Sequence, residues 1–316
     1  MSTIYTTTPL FPDLIEQLET AGHEVLIREG WGDAQALEAA DALICLLNDR
    51  VDPTRIAACS HQLKIIANVA VGYENIDVDA ARTSGIVVTN TPDVLTESTA
   101  DHVFALLLAS ARRVVEADAA VRQGAFPAWG LDQAFTGLDV HGKTLGIVGL
   151  GRIGAAVARR GRLGFGMSIY YCTRTRRPDL EHELDAQHVS LEHLLETADF
   201  VVVLVPLTGE THHMIDRKAF LHMKPTAILV NASRGPVVDE SALVAALRAG
   251  ELAGAGLDVF EQEPEVHPGL RQCSEHVTLT PHLGSATRDT RHAMAQLAVD
   301  NVLAVLDGNP PLTPVS

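Results

Sequence analysis

The chain has 316 residues, 47 % of them hydrophobic, and a formal net charge of −16. That length accommodates two domains, each with its own core, and the composition is that of an ordinary globular protein. The acidic balance, with no long basic stretch to offset it, argues against nucleic-acid binding.

Only Lys64, Lys143, Lys218 and Lys224 are lysines, so nearly all positive charge is arginine. Cys45, Cys59, Cys172 and Cys273 show no C-x-x-C spacing and read as buried free thiols rather than disulfides or a metal site. The opening MSTIYTTTPLF has no basic segment followed by an apolar core, and the longest apolar run, 103–109, is too short to cross a bilayer. The expectation is a cytoplasmic protein with neither a membrane nor a nucleic-acid partner.

In chain order, apolar runs over 4–7, 24–28, 42–47, 65–71 and 86–89 read as strands. Helical stretches over 13–21, 34–39 and 78–83 alternate with them. Strands and helices in alternation predict a parallel sheet covered on both faces, here a small flavodoxin-like unit. Its informative loop is VAVGYENID, 69–77, where a strand running into Val71-Gly72 exposes backbone N–H groups that could dock an anion. A long helix is predicted over 96–113. Ser98 followed by Asp101 resembles a capping box, and Phe104, Leu107, Leu108 and Ala111 make an apolar face that suits a domain connector or a dimer interface. Residues 124–142, with Pro127, Trp129 and four glycines, read as a long excursion of the kind that serves an interface or a site.

The rest of the chain is organised around TLGIVGLGRIGAAVARRGRLGF, 144–165. A buried strand breaks at Gly149-Leu150-Gly151-Arg152-Ile153-Gly154 and continues as a helix. Gly149 permits the turn, Gly151 lets backbone approach a pyrophosphate, and Gly154 allows close packing of helix on strand. The helix N-terminus offers free N–H groups and a positive dipole end. In this strand–turn–helix context the G-x-G-x-x-G pattern points to a dinucleotide. The next strand, 168–172, ends in Thr173-Arg174-Thr175-Arg176-Arg177 and lacks the acid that would accept the ribose hydroxyls of NAD. Arginines and hydroxyls there suit the 2′-phosphate of NADP(H), with NAD(H) as the second choice. Further strands are predicted over 200–205, 227–231, 255–258 and 277–280, and helices over 241–249 and 290–306.

Three strand ends carry chemistry. Arg234 follows the strand 227–231, Glu263 follows the strand that carries Asp258, and His282 follows 277–280. Ligands in open α/β sheets bind outside the carboxyl ends of strands, so the three are expected to converge. Together they suit reversible hydride transfer to a 2-keto acid. The bidentate guanidinium of Arg234 would hold the carboxylate and polarise the carbonyl. His282 would protonate the developing alkoxide, and Glu263 would orient His282 and favour its protonated form. No H-E-x-x-H or similar spacing links His182, His188, His193, His212, His213 and His222, so no catalytic metal is expected. No G-x-S-x-G is present to support a hydrolase.

With these motifs the chain resembles the D-isomer-specific 2-hydroxyacid dehydrogenases, most closely the glyoxylate/hydroxypyruvate reductases among them. The resemblance runs through NVAVGYENIDVDAA (68–81), NTPDVLTESTADHVFALLL (90–108), KTLGIVGLGRIG (143–154), YYCTRTRRP, VPLTGETHHMI (205–215), NASRGPVVDESALVAAL (231–247), GLDVFEQEP and TPHLGSAT. It implies Arg234, Glu263 and His282 as the catalytic set, with His282 the acid/base. It implies cofactor contacts from Gly149, Gly151, Arg152, Ile153, Gly154, Thr173, Arg174, Thr175, Arg176, Pro206, Thr211, Ala232, Ser233, Arg234, His282 and Gly284, and from Asp258 to the nicotinamide amide. It implies substrate contacts from Leu47, from the Val71–Gly72 backbone, from Arg234 and His282, and from Trp129 lent to the partner subunit of a homodimer. It also implies a discontinuous substrate domain, 1–98 with 286–316, around a Rossmann nucleotide-binding domain, 99–285. Among the few departures His61-Gln62 and the short loop 124–142 are unremarkable, whereas Asn48 stands where relatives vary and leaves substrate preference open.

The expected reaction is NADPH-dependent reduction of glyoxylate to glycolate and of hydroxypyruvate to D-glycerate. Reduction of other 2-keto acids, 2-ketogluconate among them, is the near alternative. A phosphoglycerate dehydrogenase fits less well, because the acid expected of an NAD enzyme is missing, and nothing points to a formate or phosphite dehydrogenase. A non-catalytic dinucleotide sensor on the same fold would need none of Arg234, Glu263 and His282.

Overall fold

The computed structural model describes residues 1–28, 39–59, 62–131, 133–273 and 277–315. It divides into two compact units, Met1–Leu95 with Thr287–Ser316, and Thr96–Ala286. All but the last residue of the helix predicted near 34–39, and the position of His61, fall outside the described residues.

The first unit carries, among the described residues, a parallel sheet of five strands: β1 (Thr3–Thr6), β2 (Glu24–Ile27), β3 (Ala42–Cys45), β4 (Ile65–Asn68) and β5 (Val87–Thr89). Their order is β2-β1-β3-β4-β5, the flavodoxin-like arrangement. β3 and β4 are buried at every residue, which explains their unbroken apolar runs, since a parallel sheet is covered on both faces. The strand predicted to reach Val71 stops at Asn68, freeing 69–77 as a loop. Helices α1 (Pro12–Thr20), α2 (Pro53–Ala58) and α3 (Val78–Thr83) connect the strands. Asp52 and Asp77 cap the last two by accepting from the N–H of Arg55 and Ala80, a contribution of about 1 kcal/mol each. The C-terminal helix, Arg288–Leu306, packs against β3, β4 and α1 through Met294, Ala298 and Val302. Beyond it, Asn301 Oδ1 accepts from the N–H groups of Leu312 and Thr313, and Val315 N–H donates to Val88 O.

The second unit holds seven parallel strands among the described residues, β6 (Thr144–Val148), β7 (Ser168–Cys172), β8 (Gln187–His188), β9 (Phe200–Val203), β10 (Ile228–Asn231), β11 (Gly254–Leu257) and β12 (Val277–Leu279). Their order is β12-β11-β10-β9-β6-β7-β8. The chain runs outward from β6 to β8, then returns to the other side at β9. The switch point is therefore between β6 and β9, where open α/β sheets bind their ligands. Phe200 and Phe220 are fully buried in the layers on either side, each worth roughly 1.5–3 kcal/mol over an exposed ring.

Helix α4 (Thr96–Ala111) is shorter than the predicted 96–113, because Arg113 adopts a left-handed φ of 53° and a separate helix, α5 (Val114–Arg122), follows. Ser98 is not a capping residue: it lies inside the helix and donates to Gly284 O at 3.1 Å. The apolar face of α4 does not wait for a second chain either. Phe104, Leu107 and Ala111 are buried in the core of this same unit. Helix α5 was invisible to periodicity because none of its residues is buried. Helices α6 (Arg152–Arg159), α7 (Pro178–Leu184), α8 (Leu191–Thr197), α9 (Arg217–His222), α10 (Glu240–Ala249) and α11 (Pro268–Gln272) complete the unit. Of these, α7, α8, α9 and α11, with the two-residue β8, escaped the sequence reading. All four cysteines are free, Cys45 and Cys59 buried, Cys172 and Cys273 half-buried.

Candidate active site

The glycine turn behaves as its sequence demands. Gly149 has a φ of 103°, and a Cβ there would stand 2.8 Å from the Leu204 backbone. A Cβ on Gly154 would stand 2.3 Å from Gly149 O, so the helix can pack only without one. Gly151 differs: its Cβ direction opens onto unfilled space. It is also the N-cap of α6 and supplies no side-chain cap, so the first-turn N–H groups of that helix keep their donor capacity. An open cradle at an uncapped helix N-terminus fits a pyrophosphate.

Three neighbouring strands, β10, β11 and β12, end in the predicted chemical residues. After β10, buried Asn231 shapes the turn: its Oδ1 accepts from Ser233 N–H at 3.1 Å and Ser233 Oγ at 2.8 Å, and its Nδ2 donates to Arg234 O at 3.1 Å. Arg234 Nη1 donates to Ser233 O at 2.7 Å. Gly235 then lies so close to the next loop that a Cβ would meet Phe260 C at 1.8 Å. After β11, Glu263 turns back to accept from Phe260 N–H at 3.0 Å, and its other oxygen lies 2.9 Å from His282 Nδ1. Burial pushes the Glu263 carboxyl upward, but the His282 hydrogen bond and charge, Phe260 N–H and the Arg234 charge outweigh it and hold it below the usual carboxylate range. An ionised carboxylate only accepts, so His282 Nδ1 is the donor and Nε2 remains for chemistry. After β12, His282 sits at a φ of 55°.

That turn is held by Asp258. Its backbone O accepts from His282 N–H at 2.8 Å, Oδ1 from Leu283 N–H at 2.7 Å, and Oδ2 from Gly284 N–H at 2.8 Å. Oδ1 also receives Thr280 Oγ1 at 2.6 Å and His102 Nε2 at 3.0 Å. The carboxylate, 2 % exposed, is thus occupied by four protein donors. Burial raises its pKa and these hydrogen bonds lower it further, for a net fall. His102, from α4, is the member of this site that the sequence reading missed. A polar ring beside the apolar face of a helix was the only signal, and its partner is 156 residues away.

Pro206 and Thr211 lie in the loop after β9, where Thr211 Oγ1 donates to Pro206 O at 2.6 Å. Ala232, Ser233 and Gly284 belong to the turns just described. At the end of β7, Thr173, Arg174, Thr175 and Arg176 form an exposed or half-buried loop. Trp129 stands 84 % exposed and has no hydrogen bond or ring contact among the described residues. One set of side chains with metal-ligand reach exists among the described residues, Glu192, Glu196 and His222, within 4.8 Å of one another. It sits on the surface of α8 and α9 and shares no residue with the strand-end cluster.

In the first unit, Leu47 is half-buried and the Val71–Gly72 turn is fixed through its carbonyls. Asn90 Nδ2 donates to Val71 O and Asn68 Nδ2 to Gly72 O, both at 2.8 Å. With their oxygens so committed, the N–H groups of Val71 and Gly72 have no acceptor among the described residues.

The profile of the D-isomer specific 2-hydroxyacid dehydrogenase NAD-binding domain matches residues 104–284. The chain belongs to the D-isomer-specific 2-hydroxyacid dehydrogenase family. Within it, the chain is 52 % identical to a glyoxylate reductase of Thermococcus onnurineus over 279 residues, 87 % of this chain and 83 % of the relative. A glyoxylate reductase structure from Paecilomyes thermophila superposes with a TM-score of 0.89 at 32 % identity, covering 99 % of this chain and 98 % of that one. A Sinorhizobium meliloti NADPH-dependent glyoxylate/hydroxypyruvate reductase, solved with NADP and malonate, gives 0.86 at 38 % identity, covering 100 % and 97 %. As a member of this family the protein is an NAD(P)-dependent oxidoreductase acting on CH–OH groups, with a nicotinamide dinucleotide as cofactor. No helix among the described residues is long and apolar enough to cross a membrane.

Proposed function

We propose that this dehydrogenase is an NADPH-dependent reductase of small 2-keto acids, converting glyoxylate to glycolate and hydroxypyruvate to D-glycerate. The observation that carries the reading is the convergence of Arg234, Glu263 and His282 on three adjacent strand ends, with His282 Nδ1 donating to an ionised Glu263 at 2.9 Å.

The bound nicotinamide supplies the hydride. Arg234 holds the substrate carboxylate and polarises the keto oxygen through its guanidinium. Hydride arrival turns that oxygen into an alkoxide, and His282 Nε2 delivers the proton it needs. Glu263 fixes the ring so that Nε2 faces the reacting oxygen, and Asp258 fixes the turn on which the ring is mounted. Gly149, Gly151 and Gly154, with Arg152 and Ile153 at the start of α6, cradle the pyrophosphate. Thr173, Arg174, Thr175 and Arg176 frame the ribose and its 2′-phosphate. Pro206, Thr211, Ala232, Ser233 and Gly284 complete the cofactor contacts. Leu47, Val71 and Gly72 are the first unit's substrate contacts, the last two as N–H donors to the carboxylate. The working form is a cytoplasmic homodimer in which Trp129 serves the partner subunit.

Initial rates with glyoxylate and hydroxypyruvate, each with NADPH and NADH, test this directly. The expected result is turnover of both acids, faster with NADPH, and a selective loss of NADPH use in Arg174→Ala. Equal loss with both cofactors would refute the 2′-phosphate reading, and no turnover of either acid would refute the substrate assignment.

A further inference from the structure

The loop after β7 carries three arginines and, in sequence, no acid. In the folded unit two carboxylates reach it from the first turn of α7. Glu181 holds Arg176 side-on, with Nε donating to Oε1 at 2.7 Å and Nη2 to Oε2 at 2.8 Å. Asp179 holds Arg177 in the same way at 3.1 and 2.7 Å, and Arg177 Nη1 also donates to Leu150 O at 3.2 Å. Arg174 makes no hydrogen bond or ion pair among the described residues. Of the three cations, one is unopposed.

Glu181 is not a loosely placed surface acid. Tyr171, whose ring is fully buried, donates its hydroxyl to Glu181 Oε1 at 2.5 Å and accepts the Arg177 N–H at 2.9 Å. The loop backbone, the tyrosine, the carboxylate and Arg176 therefore form one continuous chain of hydrogen bonds. The hydrogen bonds from Arg176 and Tyr171 hold the Glu181 carboxyl down to about 2, so it is charged at neutral pH.

We propose that Glu181 sets how strongly this enzyme prefers NADPH over NADH, acting as the counter-ion that restrains Arg176 and leaves Arg174 as the cation that meets the 2′-phosphate. The proposal rests on the NADP(H) reading given above. A phosphate that recruited Arg176 would have to break a bidentate, charge-assisted pair and would do so beside a fixed negative charge. The neutral 2′-hydroxyl of NADH meets neither obstacle. Glu181 thus penalises NADPH without excluding it. It is a positioning residue: it acts on the cofactor through Arg176.

Glu181→Gln keeps an oxygen to accept from Tyr171, and with it the loop anchor, while removing the charge. The ratio of kcat/KM for NADPH to that for NADH, measured at low salt with one keto acid, is expected to rise about fivefold, the size of one partly exposed charge interaction. The change should lie in a lower KM for NADPH, shrink with added salt, and disappear when Glu181→Gln is made on an Arg176→Ala background. Glu181→Ala should move the ratio in the same direction. An unchanged ratio in both single variants would overturn the proposal, and a falling one would show that Glu181 presents Arg176 to the phosphate instead. Arg174→Ala separates the two levels of argument. Selective loss of NADPH use there, with a flat response in both Glu181 variants, would sink this inference alone. Equal loss with both cofactors would sink the reading beneath it.

Discussion

Asp258→Asn replaces one oxygen of a carboxylate that four donors share with an amide nitrogen. If the amide oxygen keeps His102, Thr280 and Leu283 N–H, the new –NH2 faces the N–H of Gly284, now 2.8 Å from Oδ2. The opposite flip sets it against the other three. The better arrangement loses one charge-assisted hydrogen bond and strands one buried N–H, a combined cost of about 2–3 kcal/mol. For a unit of 150–250 residues each kcal/mol lowers Tm by about 2–4 °C, so differential scanning calorimetry at pH 7 should place the variant roughly 4–12 °C below the wild type. The pH dependence has a definite sign. Asp258 has a folded pKa below its unfolded one, so its stabilisation is fully present above an unfolded value of about 3.9 and is lost as pH falls through the folded value. The gap between the two proteins should therefore be complete at pH 5–8 and close on acidification below about pH 4. Turnover should fall with it, because the amides of His282, Leu283 and Gly284 are all tied to this residue. A Tm change under about 1 °C at pH 7, or a gap that widens in acid, would refute the account of the turn.

His282→Ala should reduce keto-acid turnover by about 10²–10⁴-fold while NADPH binding, followed by fluorescence titration, persists; near-normal turnover would remove proton transfer from its role. Gly235→Ala would drive a Cβ to 1.8–1.9 Å from the carbonyl of Phe260. Only backbone can yield there, so a loss at or beyond the upper end of about 1–3 kcal/mol is expected, together with reduced activity as the loops bearing Arg234 and Glu263 separate. A melting curve indistinguishable from wild type would disprove the close approach.

The parts of this molecule that sequence disclosed are those where neighbours in space are neighbours in the chain. Gly149, Gly151 and Gly154 sit within one turn, and Arg234 and His282 each lie within three residues of an apolar run that could only be a strand. What stayed hidden was built by residues distant in sequence. His102 reaches Asp258 from 156 residues away and Ser98 reaches Gly284 from 186 away, and no local pattern announces either. Helix α5 escaped for the opposite reason: with none of its residues buried it carries no burial period to detect. The strand end after β7 carries no acid of its own, and Glu181 reaches it from the helix beyond.

The first unit is assembled from both ends of the chain, with the second inserted whole between them. This fixes an order of events during synthesis. When Leu95 leaves the ribosome all five strands of the first sheet have been made, but the long helix that lies on β3 and β4 has not. At about 5–20 residues per second it follows roughly 10–40 s later. Throughout that interval the second unit, continuous in the chain, can finish folding, while the earlier-made strands wait with one apolar face unsheltered. The unit whose strands are made earlier is thus completed later, and that waiting period is when the nascent enzyme is most exposed to aggregation and to chaperones.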